Sequence, residues 1–225
     1  MVGTPHCQCA DRRQWCPHVP RHLFCLDDGS PEAHGCALVA HRLASGLGAR
    51  LTLVGASAES RAQARDGRDP APLRVSADDR VLAVAVPWSG DGARLLRLAR
   101  ALPFPLLAVS AAGARRVRRS VPASQRVVLH VAAPGEDAAA RVAAGAAVAM
   151  ENWQAVLAPG EFAGGPVGVG SRVELIVMAT TTLERRGMRR ALEHSTAPLL
   201  VVPAHAARAW PELPHHALAP LVTLA

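Results

Sequence analysis

Residues 22–56 constrain this chain more than any other stretch: HLFCLDDGSPEAHGCALVAHRLASGLGARLTLVGA. Residues 23–26 form a short apolar run, the pattern of a buried strand. Asp28, Gly29, Ser30 and Pro31 break that run. The Ser30 hydroxyl suits an N-cap, and Pro31 suits the first helical position, where no N–H is needed. Ala33, Cys36, Ala37, Ala40, Leu43, Ala44 and Leu47 then recur at the three-and-four spacing that gives a helix one apolar stripe. Gly48 stands where a left-handed C-terminal residue is expected, and residues 50–54 return as a second apolar strand. A strand–helix–strand unit predicts parallel pairing and a right-handed crossover.

The pattern then recurs. Residues 81–86 read as a continuous apolar strand, 87–92 as a turn, 93–102 as a helix and 106–109 as a strand. From Arg126 the order returns: a strand at 127–131, a turn at 132–135, an Ala-rich helix at 136–151 and a short strand at 154–157. A Gly- and Pro-rich loop follows at 159–171, then a strand at 174–179, a helix at 183–194 and a strand at 199–202. Both passages run strand, helix, strand, loop, strand, helix, strand, which implies an internal duplication. Residues 57–80, rich in Arg, Asp, Ala and Pro, read as the loop of the first passage. Aromatic residues are only 3% of the chain, so its core is expected to consist of Leu, Val and Ala. With 225 residues, 50% of them hydrophobic, the chain can bury one large core or two small ones.

The run LDDGSP, with the alanine-rich helix and GARLTLV after it, resembles the opening of a universal stress protein domain. ELIVMATTT followed by APLLVVP resembles the closing strands of the same domain. The resemblance implies an α/β fold of two tandem Rossmann-like, adenine-nucleotide-α-hydrolase-like halves, each a parallel sheet flanked by helices and shorter than the family's domain. Domains of that family commonly associate, so the halves are expected to pack as a pseudo-dimer. The division is then an N-terminal tail at 1–21, one half at 22–112, an Arg-rich linker at 113–124, a second half at 125–205 and a C-terminal tail at 206–225. Residues 221–224 can add as an edge strand to this chain or to a neighbour.

In a parallel α/β sheet, ligands bind beyond the carboxyl ends of the strands. There the first half offers Asp27, Asp28, Gly29 and Ser30, with Trp88, Gly90 and Gly92 opposite. Asp28 falls where ATP-binding universal stress proteins carry an Asp that helps hold the nucleoside. Capping of the helix explains Asp28 and Ser30 equally well. Trp88 can cover an adenine ring or plug a surface gap. The family's phosphate loop is G-x-x-G, nine residues, then G followed by Ser or Thr, because glycines let backbone N–H groups approach phosphates. Here Ala179 and Thr182 replace the first two glycines, and no Gly-Ser follows. The second half also has Ala132 where the first-strand Asp is expected. ATP or AMP is therefore conceivable in the first half only, and no cofactor is expected in the family's manner.

All 25 basic residues are Arg, and the net charge is +7. The arginines are spread along the chain, as coding bias would spread them. No aromatic residue is interleaved with Arg115, Arg116, Arg118 and Arg119, which argues against nucleic acid as a partner. Arg185, Arg186, Arg189 and Arg190 read as an exposed helix face. Cys7, Cys9, Cys16 and His18 are weak metal candidates, since C-x-C, six residues, C-x-H matches no standard zinc spacing, and no metal is expected. Cys25 and Cys36 read as core thiols, and His130 as a core imidazole. Without an apolar leader or a membrane-length segment, a cytoplasmic protein is expected. No Ser-His-Asp spacing, carboxylate pair or HExxH motif is present, so the expected role is not an enzyme's. It is that of a regulatory or scaffolding module with a protein partner or a second copy in a homodimer. The alternatives are an adenine-nucleotide sensor using the first half, and an enzyme or enzyme subunit of the adenine-nucleotide α-hydrolase-like group.

Overall fold

The strand–helix–strand unit forms as its residue types require. Strand β1 is His22–Asp27, helix α1 is Pro31–Gly46 and strand β2 is Arg50–Gly55. Ser30 caps α1, its Oγ accepting from Ala33 N at 3.1 Å, and Pro31 stands in the first turn. Gly48 takes a left-handed φ of 61° and ends the helix. Ala33, Cys36, Ala40, Leu43 and Ala44 are buried against the sheet. The computed structural model describes residues 21–55, 80–117, 126–163, 172–193, 195–204, 206, 210 and 221–223. The candidate ligands Cys7, Cys9, Cys16 and His18, the loop at 56–79, and residues 118–125 and 164–171 lie outside those residues.

Further along come β3 (Val81–Trp88), α2 (Gly92–Ala101), β4 (Leu106–Ser110) and α3 (Ala111–Val117). Then follow β5 (Val127–Val131), α4 (Asp137–Ala149), β6 (Trp153–Leu157), α5 (Pro159–Ala163) and β7 (Val173–Ala179). The last elements are α6 (Thr180–Leu183), α7 (Arg186–Glu193), β8 (Leu199–Val202) and β9 (Leu221–Thr223). Among the described residues the strands form one nine-stranded sheet in the order β2-β1-β3-β4-β8-β7-β5-β6-β9. Every pairing is parallel except β4 with β8. The fold is thus α/β and Rossmann-like, a mostly parallel sheet with helices on both faces. Strand residues alternate between those faces. Cys25, Leu107, Leu175 and Leu200 share a core with α1 and α4, whereas Val84, Leu106, Ile176 and Leu199 share one with α2 and α7.

The run β2-β1-β3-β4 and the run β6-β5-β7-β8 have the same internal order and meet at the antiparallel pair. The strand ends match in detail. His22 N donates to Arg80 O, and Val127 N to Arg172 O, each at 2.9 Å. Val84 N donates to Pro105 O, and Ile176 N to Pro198 O, again at 2.9 Å. Each run carries one register shift, between His22 and Leu23 in one and Val127 and Val128 in the other.

Several sequence expectations need correction. A connector is expected from Gly113, but residues 111–117 are helical, and α3 packs on α1 where a Cβ on Gly35 would come within 2.1 Å of Ala114 Cβ. Pro87 and Trp88 extend β3 instead of starting the turn, because Trp88 is buried there. The loop from Pro159 begins with helix α5. The helix expected at 183–194 is broken into α6 and α7. Leu183 and Met188 are both buried in one core but are five residues apart, a spacing that one unbroken helix directs to different sides. The C-terminal stretch is not all tail, since Trp210 is 2% exposed in the core and β9 pairs with β6 of this same chain. Among the described residues no helix is long and apolar enough to cross a membrane.

Candidate functional site

Because β4 and β8 run antiparallel, the carboxyl ends of the two runs point in opposite directions. The sheet therefore has two crevice positions, one at each end. In the first, β1 delivers Asp27, Asp28, Gly29 and Ser30. Asp27 Oδ1 accepts from Gly29 N and Asp28 Oδ1 from Ser30 N, each at 2.9 Å, so both carboxylates fold back on their own turn. Gly29 takes a φ of 77°.

The neighbouring strand β3 delivers Trp88, Gly90 and Gly92. The Trp88 ring is 5% exposed and packs in the core of α2, and its Nε1 donates to Asp91 O at 3.1 Å. Gly90 supplies the φ of 95° that turns the chain. Gly92 lets α7 approach, since a Cβ there would lie 3.3 Å from Arg189 Cβ. Between them stands Asp91, which the sequence reading omits. Its Oδ1 accepts from Ala93 N at 2.8 Å and Arg94 N at 3.1 Å. The signal was available: an Asp directly before a helical pattern is an N-cap. The donors at the start of α2 are thus held by the chain's own carboxylate.

The second crevice lies beyond β5 and β7. The turn from Ala132 bends at Gly135, with a φ of 82°, and delivers Glu136. Glu136 Oε1 accepts from Thr181 Oγ1 in a short bond and lies 2.8 Å from Thr182 Oγ1. Oε2 lies 2.9 Å from Thr182 Oγ1 and accepts from Ala133 N at 3.3 Å. Thr182 is fully buried. Thr180 Oγ1 and His130 Nε2 are buried with no hydrogen-bond partner among the described residues.

Burial holds the His130 imidazole below its ordinary pKa, and the Glu136 charge opposes that shift only in part. The folded protein therefore binds fewer protons here than the unfolded chain. The associated stability is complete above the ordinary histidine value of about 6.5 and is lost as pH falls toward the depressed folded value. His130→Val is expected to lessen the drop in melting temperature between neutral pH and about pH 5. An unchanged drop in the variant removes His130 as its source.

Cys25 and Cys36 are free and buried, and the neighbouring Cys25 thiol together with burial pushes the Cys36 thiol well up. Of the arginines expected on one exposed helix face, Arg190 is exposed on α7, Arg185 is exposed but lies in the break between α6 and α7, and Arg189 is half-buried where α7 meets Gly92. Among the described residues no group of three or more His, Cys, Asp or Glu is placed to hold a metal ion. Both donor sets already bind one of the chain's own carboxylates, Asp91 at the start of α2 and Glu136 beyond β5. No protein-family model matches this chain, and no characterised protein sequence matches it.

Proposed function

We propose that this chain is a cytoplasmic regulatory or scaffolding module of universal-stress type, built from two related halves packed as an internal pseudo-dimer. Several features support the duplication. The two runs share strand order, register shift and the same Arg and Pro carbonyls at the strand starts. Left-handed residues end both long helices, Gly48 after α1 and Glu151, with a φ of 55°, after α4.

The observation that carries the functional reading is the filling of both donor sets by internal carboxylates, Asp91 in one half and Glu136 in the other. A nucleotide phosphate brought there would meet a like charge and find its donors taken. What remains for the fold to offer is its surface, so the partner is a protein or a second copy of the chain.

Calorimetric titration of the full chain with ATP and with AMP, each with magnesium, tests this. Binding no tighter than about 1 mM, or about −4 kcal/mol, is expected. Micromolar binding overturns the reading. Its loss in Asp28→Ala would then favour a nucleotide sensor in the first half.

A further inference from the structure

Glu136 stands at the N-cap of α4, where a carboxylate ordinarily turns onto its own helix, yet it makes no side-chain capping bond there. It reaches across to the residues after β7 instead. Two hydroxyls and one backbone N–H converge on it: Thr181 Oγ1, Thr182 Oγ1 and Ala133 N. These groups come from the turn after β5 and from helix α6, and they surround both oxygens. Thr182, the deepest donor, is wholly buried, and without Glu136 its hydroxyl loses both oxygens that it faces. Two more polar atoms close by in the chain are buried and unpartnered, Thr180 Oγ1 and His130 Nε2, and His130 feels the charge of Glu136.

We propose that Ala133 N–H, Thr181 Oγ1 and Thr182 Oγ1 form an oxyanion cradle that Glu136 keeps filled from within, so that an external carboxylate or phosphate binds only when Glu136 gives way. The inference rests on reading the second half as a closed ligand site and names what closes it. Glu136 is an internal ligand with an effective concentration in the millimolar range or above, which a free anion of ordinary weak affinity does not displace. Gly135 provides the backbone freedom for the turn to carry Glu136 away.

The test is a melting-temperature titration of the full chain with sodium acetate and with inorganic phosphate, against sodium chloride at equal ionic strength. Glu136→Ala is expected to melt lower than wild type and to recover along a saturating curve with acetate or phosphate, half-maximal in the millimolar range. Wild type and Glu136→Gln, whose side chains fill the cradle, are expected to show no saturating response. Glu136→Asp, one methylene too short to reach both hydroxyls, is the second variant should Glu136→Ala fail to fold, and it is expected to respond in the same direction.

Acetate rescue alone identifies a carboxylate cradle, and rescue by both identifies a general oxyanion cradle. The same variant carrying Thr181→Val and Thr182→Val is expected to lose the response. No saturating response in Glu136→Ala or Glu136→Asp overturns the inference, as does equal binding by wild type. Micromolar ATP binding by wild type with rescue of Glu136→Ala intact would defeat the functional reading above and leave the cradle standing.

Discussion

Trp210→Ala is expected to destabilise the protein by about 3–5 kcal/mol, the range for removing a large buried aromatic side chain. Two losses combine. The ring is 2% exposed and lies over Gly145 of α4, where a Cβ would come within 3.0 Å of its Cε3. Its Nε1 also donates to Leu82 O at 2.8 Å, across 128 residues of sequence. Leu82 is the residue passed over where the β1–β3 register shifts, with His22 opposite Val81 and Leu23 opposite Ala83. A carbonyl at such a shift loses its ladder partner, and Trp210 supplies another.

Glu174 is the residue passed over at the matching shift in β7. There the anchor is a side chain, with Arg42 Nη1 at 2.8 Å, Arg126 Nε at 3.2 Å and Asn152 Nδ2 at 3.3 Å from Glu174. Trp210→Phe separates the two losses: it refills most of the space but leaves Leu82 O buried and unpaired, at about 1–3 kcal/mol. Urea unfolding measures both variants. A Trp210→Ala loss under about 1 kcal/mol, the ordinary effect of a surface substitution or little more, would show that Trp210 does not hold the C-terminal segment in place.

What could be read from the sequence was local. Ser30, Pro31 and Gly48 act within one turn of α1, and each does what its own chemistry dictates. The apolar runs that became β3, β4, β5 and β8 are continuous because parallel strands are buried on both faces. Features with distant causes were not legible. Helix α3 is fixed by the close approach of Ala114 to Gly35, and nothing in AAGARRV indicates that contact. Glu151 takes a left-handed conformation that its side chain does not advertise. Trp210 stands alone among Pro and His residues, without periodicity, and its reason lies in a carbonyl of β3.

The candidate site divides in the same way. Asp28 and Ser30 announce themselves because each bonds to a backbone N–H two or three residues on. The absence of phosphate-loop glycines after β7 is also plain in the sequence. What fills the place is not. Glu136 and Thr181 are 45 residues apart, and the parallel pairing of β5 with β7 brings the turn before α4 to helix α6. A carboxylate before an alanine-rich helix reads as a cap, and its use on another helix appears only in three dimensions.

Gly46→Ala is expected to destabilise the protein by about 1–3 kcal/mol, against the sign that helix propensity alone predicts. Replacing a helical Gly by Ala ordinarily gains up to about 1 kcal/mol. Gly46 ends α1 at its meeting with the end of α4, and a Cβ there would lie 1.8 Å from Ala149 O, 2.5 Å from its carbonyl carbon and 2.7 Å from its Cα. All three atoms are backbone, so no rotamer change relieves the contact, and the helices must separate. Overpacking of that kind costs about 1–3 kcal/mol. The separation also strains the joint between the two runs, because α1 from the first run and α4 from the second share one core on the same face of the sheet.

Gly48→Ala is the control. It too adds a Cβ, but nothing lies within 4 Å of it, and its cost comes only from a φ of 61°. That cost is about 1–2 kcal/mol, and it should leave the α1–α4 joint intact. Urea midpoints for the two variants distinguish the causes when each is combined with Arg42→Ala, which loosens the same joint by removing one of the three donors on Glu174. Gly46→Ala should couple to Arg42→Ala, and Gly48→Ala should simply add. A Gly46→Ala midpoint at or above wild type would mean that the two helix ends do not meet as closely as 1.8 Å requires.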